Sequence, residues 1–308
     1  MANTLPNGLI PFGGDANCTL ALCPLESSVL QYQPSIAGNG VVIGLFALSA
    51  LVHIVQGWKW KTWDFAICIV IGCLDEIVGY IGRIMLHNDP FSFGAFLMQT
   101  RIVCITTGPV FFCSAIYVQL SRTIVHLDRS LSRFTPKLLV WTFIPVDILS
   151  LVLQATGGAL SSVLDNPDIG VWTSMAGLIL QVVTLLIFVS LFVDYVVRYI
   201  RQASLEPRLK IFLGFLFGSI ILILVRCAYR IAELREGYDG ELIHEEVSFM
   251  ILESLMVLLA VFCLHVGHPG IAFGVKVKGS KDEKEMGSGG DIEDSREIPM
   301  NSWNAASA

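Results

Sequence analysis

Glu76, Tyr80 and Arg83 stand at i, i+4 and i+7 inside one apolar stretch, with Asp75 beside them, and that spacing places the three on one stripe of a helix. Asp147, Ser150, Gln154 and Gly158 follow at i, i+3, i+7 and i+11, and Ser174, Gly177, Gln181 and Thr184 repeat the idea further on. Arg226, Arg230 and Glu233 form another stripe, as do Glu246, Phe249 and Glu253. Carboxylates, guanidiniums and a phenol in apolar surroundings can capture a charged head group or hold one another. Such groups are expensive inside a membrane helix and mark a pathway, a cavity or a partner charge. For Glu76 and Arg83 the alternative is a structural clamp between helices. Ser, His and Asp do not assemble into a nucleophile constellation, and no G-x-x-x-x-G-K-[ST] loop is present, so neither bond cleavage nor ATP hydrolysis is expected.

The elements that must position these residues are seven apolar stretches, at 35–57, 64–86, 97–120, 138–160, 171–195, 209–231 and 246–268. A hydrocarbon core about 30 Å thick needs roughly 20 apolar residues per helix, so each is long enough to span. The expected fold is an all-α membrane protein of seven transmembrane helices. The 308 residues are 54% hydrophobic and 15% charged, with mean hydropathy +0.67, where a soluble domain carries about 25% charged residues. A net charge of −6, with the basic residues distributed by membrane side, gives no sign of nucleic-acid binding.

Lysines and arginines set the orientation. Residues 1–34, 87–96 and 161–170 contain none, whereas the first, third and fifth connections and the C-terminal tail are basic. The sixth connection has Arg235 alone among six acids. The N-terminus is therefore expected outside and the C-terminus in the cytoplasm. On that topology Arg83, Arg101, Arg226 and Arg230 face the interior acids Asp75, Glu76, Asp147 and Glu253. Mutual compensation in a cavity opening to the outer leaflet is the expectation. Many of the Ser, Gly and Gln positions in the fourth and fifth spans read as packing glue between helices.

Three domains are expected: an extracytoplasmic tail (1–34), a seven-span domain (35–271) and a disordered cytoplasmic tail (272–308) whose composition is Gly, Ser, Lys, Asp and Glu. No cleavable signal peptide is expected. Asn17-Cys18-Thr19 is an N-glycosylation acceptor pattern, and Cys18 and Cys23 are either a small disulfide loop or two free thiols. Trp58, Trp60, Trp63 and Trp172 flank spans, as an interfacial belt does. Gly214 and Gly218 make a GxxxG, a weak dimer signal.

Histidines bear on an enzymatic alternative. His53 and His265 can meet near one interface with His268 one turn further, while the interiors of spans two to six hold none. A catalytic zinc needs about three convergent ligands and an open position, so an intramembrane metal hydrolase is disfavoured against interfacial histidines. A porphyrin between His53 and His265 is weaker still. No cofactor and no metal are expected.

Several of these strings resemble signatures of the fungal RTA-like lipid-translocating exporter family. They are Asp75-Glu76-x-x-Gly79-Tyr80-x-Gly82-Arg83 and Gly108-Pro109-Val110-Phe111-Phe112-Cys113-Ser114-Ala115-x-Tyr117 followed by Arg122. Asp147-x-x-Ser150-x-x-x-Gln154-Ala155-x-Gly157-Gly158 and Gly177-Leu178-x-x-Gln181 come next in the same order. Arg226-x-x-x-Arg230-x-x-Glu233, then Gly237, Gly240 and Glu246, and a closing His268-Pro269-Gly270 complete the set over about residues 32–271. One departure stands out: where the family has Tyr and then Asp in the last span, this chain has Met250 and Glu253.

The resemblance implies a seven-span protein of a fungal plasma membrane or another secretory-pathway membrane. It further implies export or flipping of sphingoid long-chain bases, resistance to toxic amphiphiles, and a porphyrin-transporting relative. The expected function is translocation of amphiphilic lipids, with a seven-span receptor or lipid sensor as the alternative. The expected partners are membrane lipids or amphiphilic small molecules. Asp75, Glu76, Tyr80, Arg83, Asp147, Gln154, Gln181, Arg226, Arg230 and Glu253 are the residues expected to line the site. Glu76 and Glu253 would receive an ammonium head, with Arg83 and Arg226 holding the carboxylates ionised in its absence.

Overall fold

The computed structural model describes residues 5, 8–11, 17–28, 30–92, 104–127, 131–133, 135–163, 168–202, 206–236 and 245–272. Among them, seven helices are long and apolar enough to cross a membrane: α1 (Ile36–Trp60), α2 (Trp63–Asn88), α3 (Cys104–Leu127), α4 (Pro136–Val163), α5 (Asp168–Gln202), α6 (Pro207–Glu236) and α7. The seventh is composite. It runs as α-helix over Glu246–Phe249, as π-helix over Met250–Leu255, and as α-helix again over Met256–Val266. A short helix, α8 (Pro269–Ala272), closes the described chain. All seven expected spans are present, with the third continuing two turns further, to Leu127. Arg101, Gly237, Gly240 and the C-terminal tail lie outside the described residues.

Local chemistry starts and stops these helices. Ser35 caps α1, its hydroxyl accepting from the Gly38 N–H at 3.2 Å. Pro136 and Pro207 occupy first helical positions, where the missing N–H is not needed. Lys61 ends α1 in the left-handed region at φ 54°, its N–H bonding the Gly57 carbonyl. Gly57 lets the next helix approach closely, because a Cβ there would sit 2.6 Å from that of Ala66. Pro109 and Pro145 stay inside continuous helices, as membrane helices tolerate when neighbours satisfy the freed carbonyls.

Neighbours in sequence are neighbours in space: each of α1–α2, α2–α3, α3–α4, α4–α5, α5–α6 and α6–α7 packs together, α1 meets α7, and α3 touches α6. The third helix is thus the hub. Of its span 78% is buried by protein, against 22% for α4. Lipid demands apolar side chains only where lipid is met, so the hub has the lowest hydropathy of the seven. Its polar groups have work inside the bundle. Gln119 donates to the Gly267 carbonyl at 2.7 Å, and Ser121 to that of Pro136 at 2.9 Å.

The N-terminal segment is folded down. Cys18 and Cys23 form a disulfide and cluster with Phe91, Leu5 and Leu9. His87 Nδ1 lies 2.8 Å from the Pro34 carbonyl. The Ser35 N–H donates to Glu246 Oε1 at 2.6 Å, joining the start of α1 to the start of α7. At the opposite end His268 accepts from the Gly270 N–H at Nδ1, 3.0 Å. Its Nε2 therefore carries the proton, and it reaches Thr62 Oγ1 at 3.2 Å. The His268-Pro269-Gly270 string is a clamp on the α1–α2 turn, with Gly270 pressed against the Trp60 ring.

Candidate functional site

Four helices bring the expected charges together. On α2, Glu76, Tyr80 and Arg83 are all buried, so the i, i+4, i+7 stripe faces inward over its length. Arg226 of α6 donates from Nη2 to Glu253 Oε1 of α7 at 2.5 Å, and neither side chain is more than 1% exposed. Glu76 feels Arg226, Glu253 and Asp75 electrostatically, so two carboxylates stand before one guanidinium. Glu76 Oε1 has no hydrogen-bond partner among the described residues, and neither has Glu253 Oε2. The space for the Glu76 carboxylate comes from α3. A Cβ on Gly108 would sit 2.5 Å from Glu76 Oε1, so only glycine leaves that notch.

Tyr80 crosses to α7, its hydroxyl donating to Ser254 Oγ at 2.6 Å while its ring stacks on Phe46 of α1. Glu253 and Ser254 both lie in the π-helical turn. A π-turn widens the helix and shifts the phase of the residues beyond it, and such turns recur at functional sites. Glu246, Phe249 and Glu253 were expected on one α-helical stripe. The insertion of the wider turn is what delivers Glu253 to Arg226 and Ser254 to Tyr80.

Arg83 departs from its expected role. The Glu76–Arg83 clamp is not formed, nor does Arg83 neutralise an acid among the described residues. Its guanidinium lies over the Phe249 ring at 3.9 Å and donates to Tyr32 Oη at 2.8 Å. The physical reason is rotation: at i+7 Arg83 sits a turn beyond Tyr80, level with the descending N-terminal segment, where an aromatic face is the nearest electron-rich partner. Burial pushes the Tyr32 phenol above its ordinary range, with the adjacent Arg83 pulling it back. Tyr32 is a residue that spacing arguments missed, since nothing in its own neighbourhood signals a span 51 residues away.

The remaining candidates fall into three places. Asp147 of α4 is buried and accepts from Tyr117 of α3 at 2.9 Å, leaving Oδ1 unpartnered among the described residues. Its field reaches Cys113 of α3 and Cys227, the residue after Arg226, which places it on the α6 side of the hub. Asp75 accepts from Thr107 of α3. Arg230 pairs with Glu233 on its own helix at 2.5 Å. Gln154 and Gln181 instead bond each other at 3.1 Å across the α4–α5 seam, away from the charged layer, where Ser174 also donates to the Gln154 carbonyl.

At the other end of the bundle, His53 and His265 stack with ring centroids 4.0 Å apart, while His268 is committed to Thr62 and Gly270. Among the described residues no group of three or more His, Cys, Asp and Glu is arranged to hold a metal ion. A cavity of about 310 Å³ lies at that end, lined by Arg208, Ile211, Phe212, His265, Val266 and Ile271. Asn17 is exposed, and its side-chain oxygen accepts from the Ile10 N–H at 2.6 Å.

The chain is 31% identical over 281 residues to the sphingoid long-chain base transporter RSB1 of Saccharomyces cerevisiae, covering 78% of this chain and 73% of that protein. It is 30% identical over 216 residues to Protein RTM1 of Saccharomyces cerevisiae, covering 67% and 68%. Against protoporphyrin uptake protein 1 of the same species it is 29% identical over 202 residues, covering 64% and 66%. No solved structure matches. The model for the RTA1 like protein family matches residues 69–276, which takes in the charged layer from Glu76 to Glu253 and the closing His268 clamp, and the chain belongs to that family.

Proposed function

We propose that this protein translocates amphiphilic lipids of the sphingoid long-chain base type across a fungal membrane, with export of toxic amphiphiles as a consequence. The observation that carries the reading is Glu76: a buried carboxylate with an unpartnered oxygen, facing an Arg226–Glu253 pair. An ammonium head entering beside Glu76 would find an acidic partner already desolvated. The apolar tail would remain in lipid against the outward faces of α2 and α7. Kinship to a long-chain base transporter supports the same substrate class. Asp75, Asp147, Arg83 and Arg230 surround this route, whereas the Gln154–Gln181 pair holds the α4–α5 seam.

The basic odd connections support an N-terminus outside and a C-terminus in the cytoplasm. Glycosylation of Asn17, read as an endoglycosidase-sensitive shift, tests that orientation. Residence in the plasma membrane fits an exporter.

The test is leaflet exchange of a fluorescent sphingoid base in liposomes holding the purified protein, with a neutral lipid analogue as control. Acceleration that prefers the cationic lipid and drops at least about tenfold, ~1.4 kcal/mol, in Glu76→Gln and Glu253→Gln is expected. Full activity in both folded variants would remove the acidic head-group site. No acceleration at all would bring the receptor or sensor reading forward.

A further inference from the structure

The charges around Glu76 do not balance while it is ionised and empty. On its own helix it faces Asp75, Tyr80 and Cys73. From α6 it faces Arg226, which Glu253 of α7 already holds at 2.5 Å. From α3 it meets the bare Gly108 backbone, where a Cβ would lie 2.5 Å from Oε1. Arg83, two turns away, is turned onto Phe249 and Tyr32. A carboxylate buried to 1% exposure without its own counter-charge is too costly to persist, and it takes a cation or a proton. The Gly108 notch holds the carboxylate itself, with Oε1 packed against that bare backbone and without a hydrogen-bond partner among the described residues.

We propose that Glu76 is a proton–substrate exchange site, which makes the protein an electroneutral proton antiporter for amphiphilic cations. The inference rests on the translocator reading of the same residue. When an ammonium arrives, the Glu76 carboxyl releases one proton and the carboxylate pairs with the head group. On the other side the ammonium leaves and one proton returns to the same oxygen. One positive charge moves each way, and the Arg226–Glu253 pair stays intact throughout. The pH difference across the membrane then supplies the driving force, and a one-unit difference sustains about a tenfold concentration ratio of the cation.

The test uses the full chain in liposomes with a trapped pH-sensitive dye and a fluorescent N-trimethyl sphingoid base. That probe is permanently charged and carries no proton of its own. Inward probe movement should raise lumenal pH, a one-unit gradient should hold about a tenfold probe ratio, and clamping the membrane potential should leave the rate unchanged. Glu76→Gln should abolish the lumenal pH change, and Glu76→Asp, which keeps the acid, should retain it. Probe movement with no lumenal pH change and no response to the gradient overturns the antiport while translocation stands. Probe movement that follows membrane potential overturns electroneutrality and the proposal with it. Absence of probe movement under every gradient overturns the translocator reading and the coupling together.

Discussion

Along the α4–α5 seam the backbones approach until no Cβ fits, whereas across α2, α3, α6 and α7 the helices meet through buried charged side chains. In the seam, a Cβ on Gly157 would fall 2.4 Å from the Ser174 nitrogen, one on Gly170 2.3 Å from the Ser161 nitrogen, and one on Gly177 2.6 Å from the Ser150 carbonyl oxygen. Its polar side chains are small, or are paired with each other as Gln154 is with Gln181. In the charged layer, Glu76 and Glu253 each keep an oxygen without a partner among the described residues. Membrane helices gain stability from close packing and modest hydrogen bonds. The seam is therefore built to hold, and the charged layer retains groups that packing alone does not explain.

The sharpest way to break this contrast is Arg226→Leu, which leaves Glu253 buried without its ion pair. A loss of about 3–5 kcal/mol is expected, read as thermal unfolding in detergent. Combining it with Glu253→Leu should return most of that stability, since apolar replacement of a whole buried pair is often neutral, while lipid exchange stays lost. If the double variant exchanges lipid normally, the pair is structural and the two regions differ less than argued.

Gly170→Leu probes the seam from the other direction. Overpacking should cost about 1–3 kcal/mol in the same unfolding assay, and the fraction that remains folded should exchange lipid at the normal rate. Gln154→Ala removes one interhelical hydrogen bond and should lower stability by about 0.6 kcal/mol. The smallest effect belongs to Gly214→Ala, where nothing lies within 4 Å of the added Cβ. A change within about 0.5 kcal/mol is expected, and a larger loss in the oligomer by crosslinking would show that this GxxxG face meets a second copy.

Much of the architecture was legible beforehand. Apolar length located seven helices, and the 3.6-residue period placed Glu76, Tyr80 and Arg83 on one inward stripe. The Asp147 and Gln181 side chains are likewise buried, and Gln154 is half-buried. Partner choice was not legible. Arg83 turned to Tyr32 and Phe249 instead of an acid, because the folded N-terminal segment reaches it first. The notch at Gly108 had no spacing signal, since its role depends on where Glu76 of another helix arrives.

The sequence by itself determined the number of spans, the inward stripe of α2 and the presence of charges inside the bundle, because length, period and composition are properties of single helices. Only the tertiary structure decided that Arg226 takes Glu253, that Tyr80 meets Ser254 through a π-helical turn, and that Glu76 retains an unpartnered oxygen. Those outcomes depend on the depth and rotation of each helix against its neighbours. These are set by packing summed around the whole ring, and no single stretch of sequence carries them.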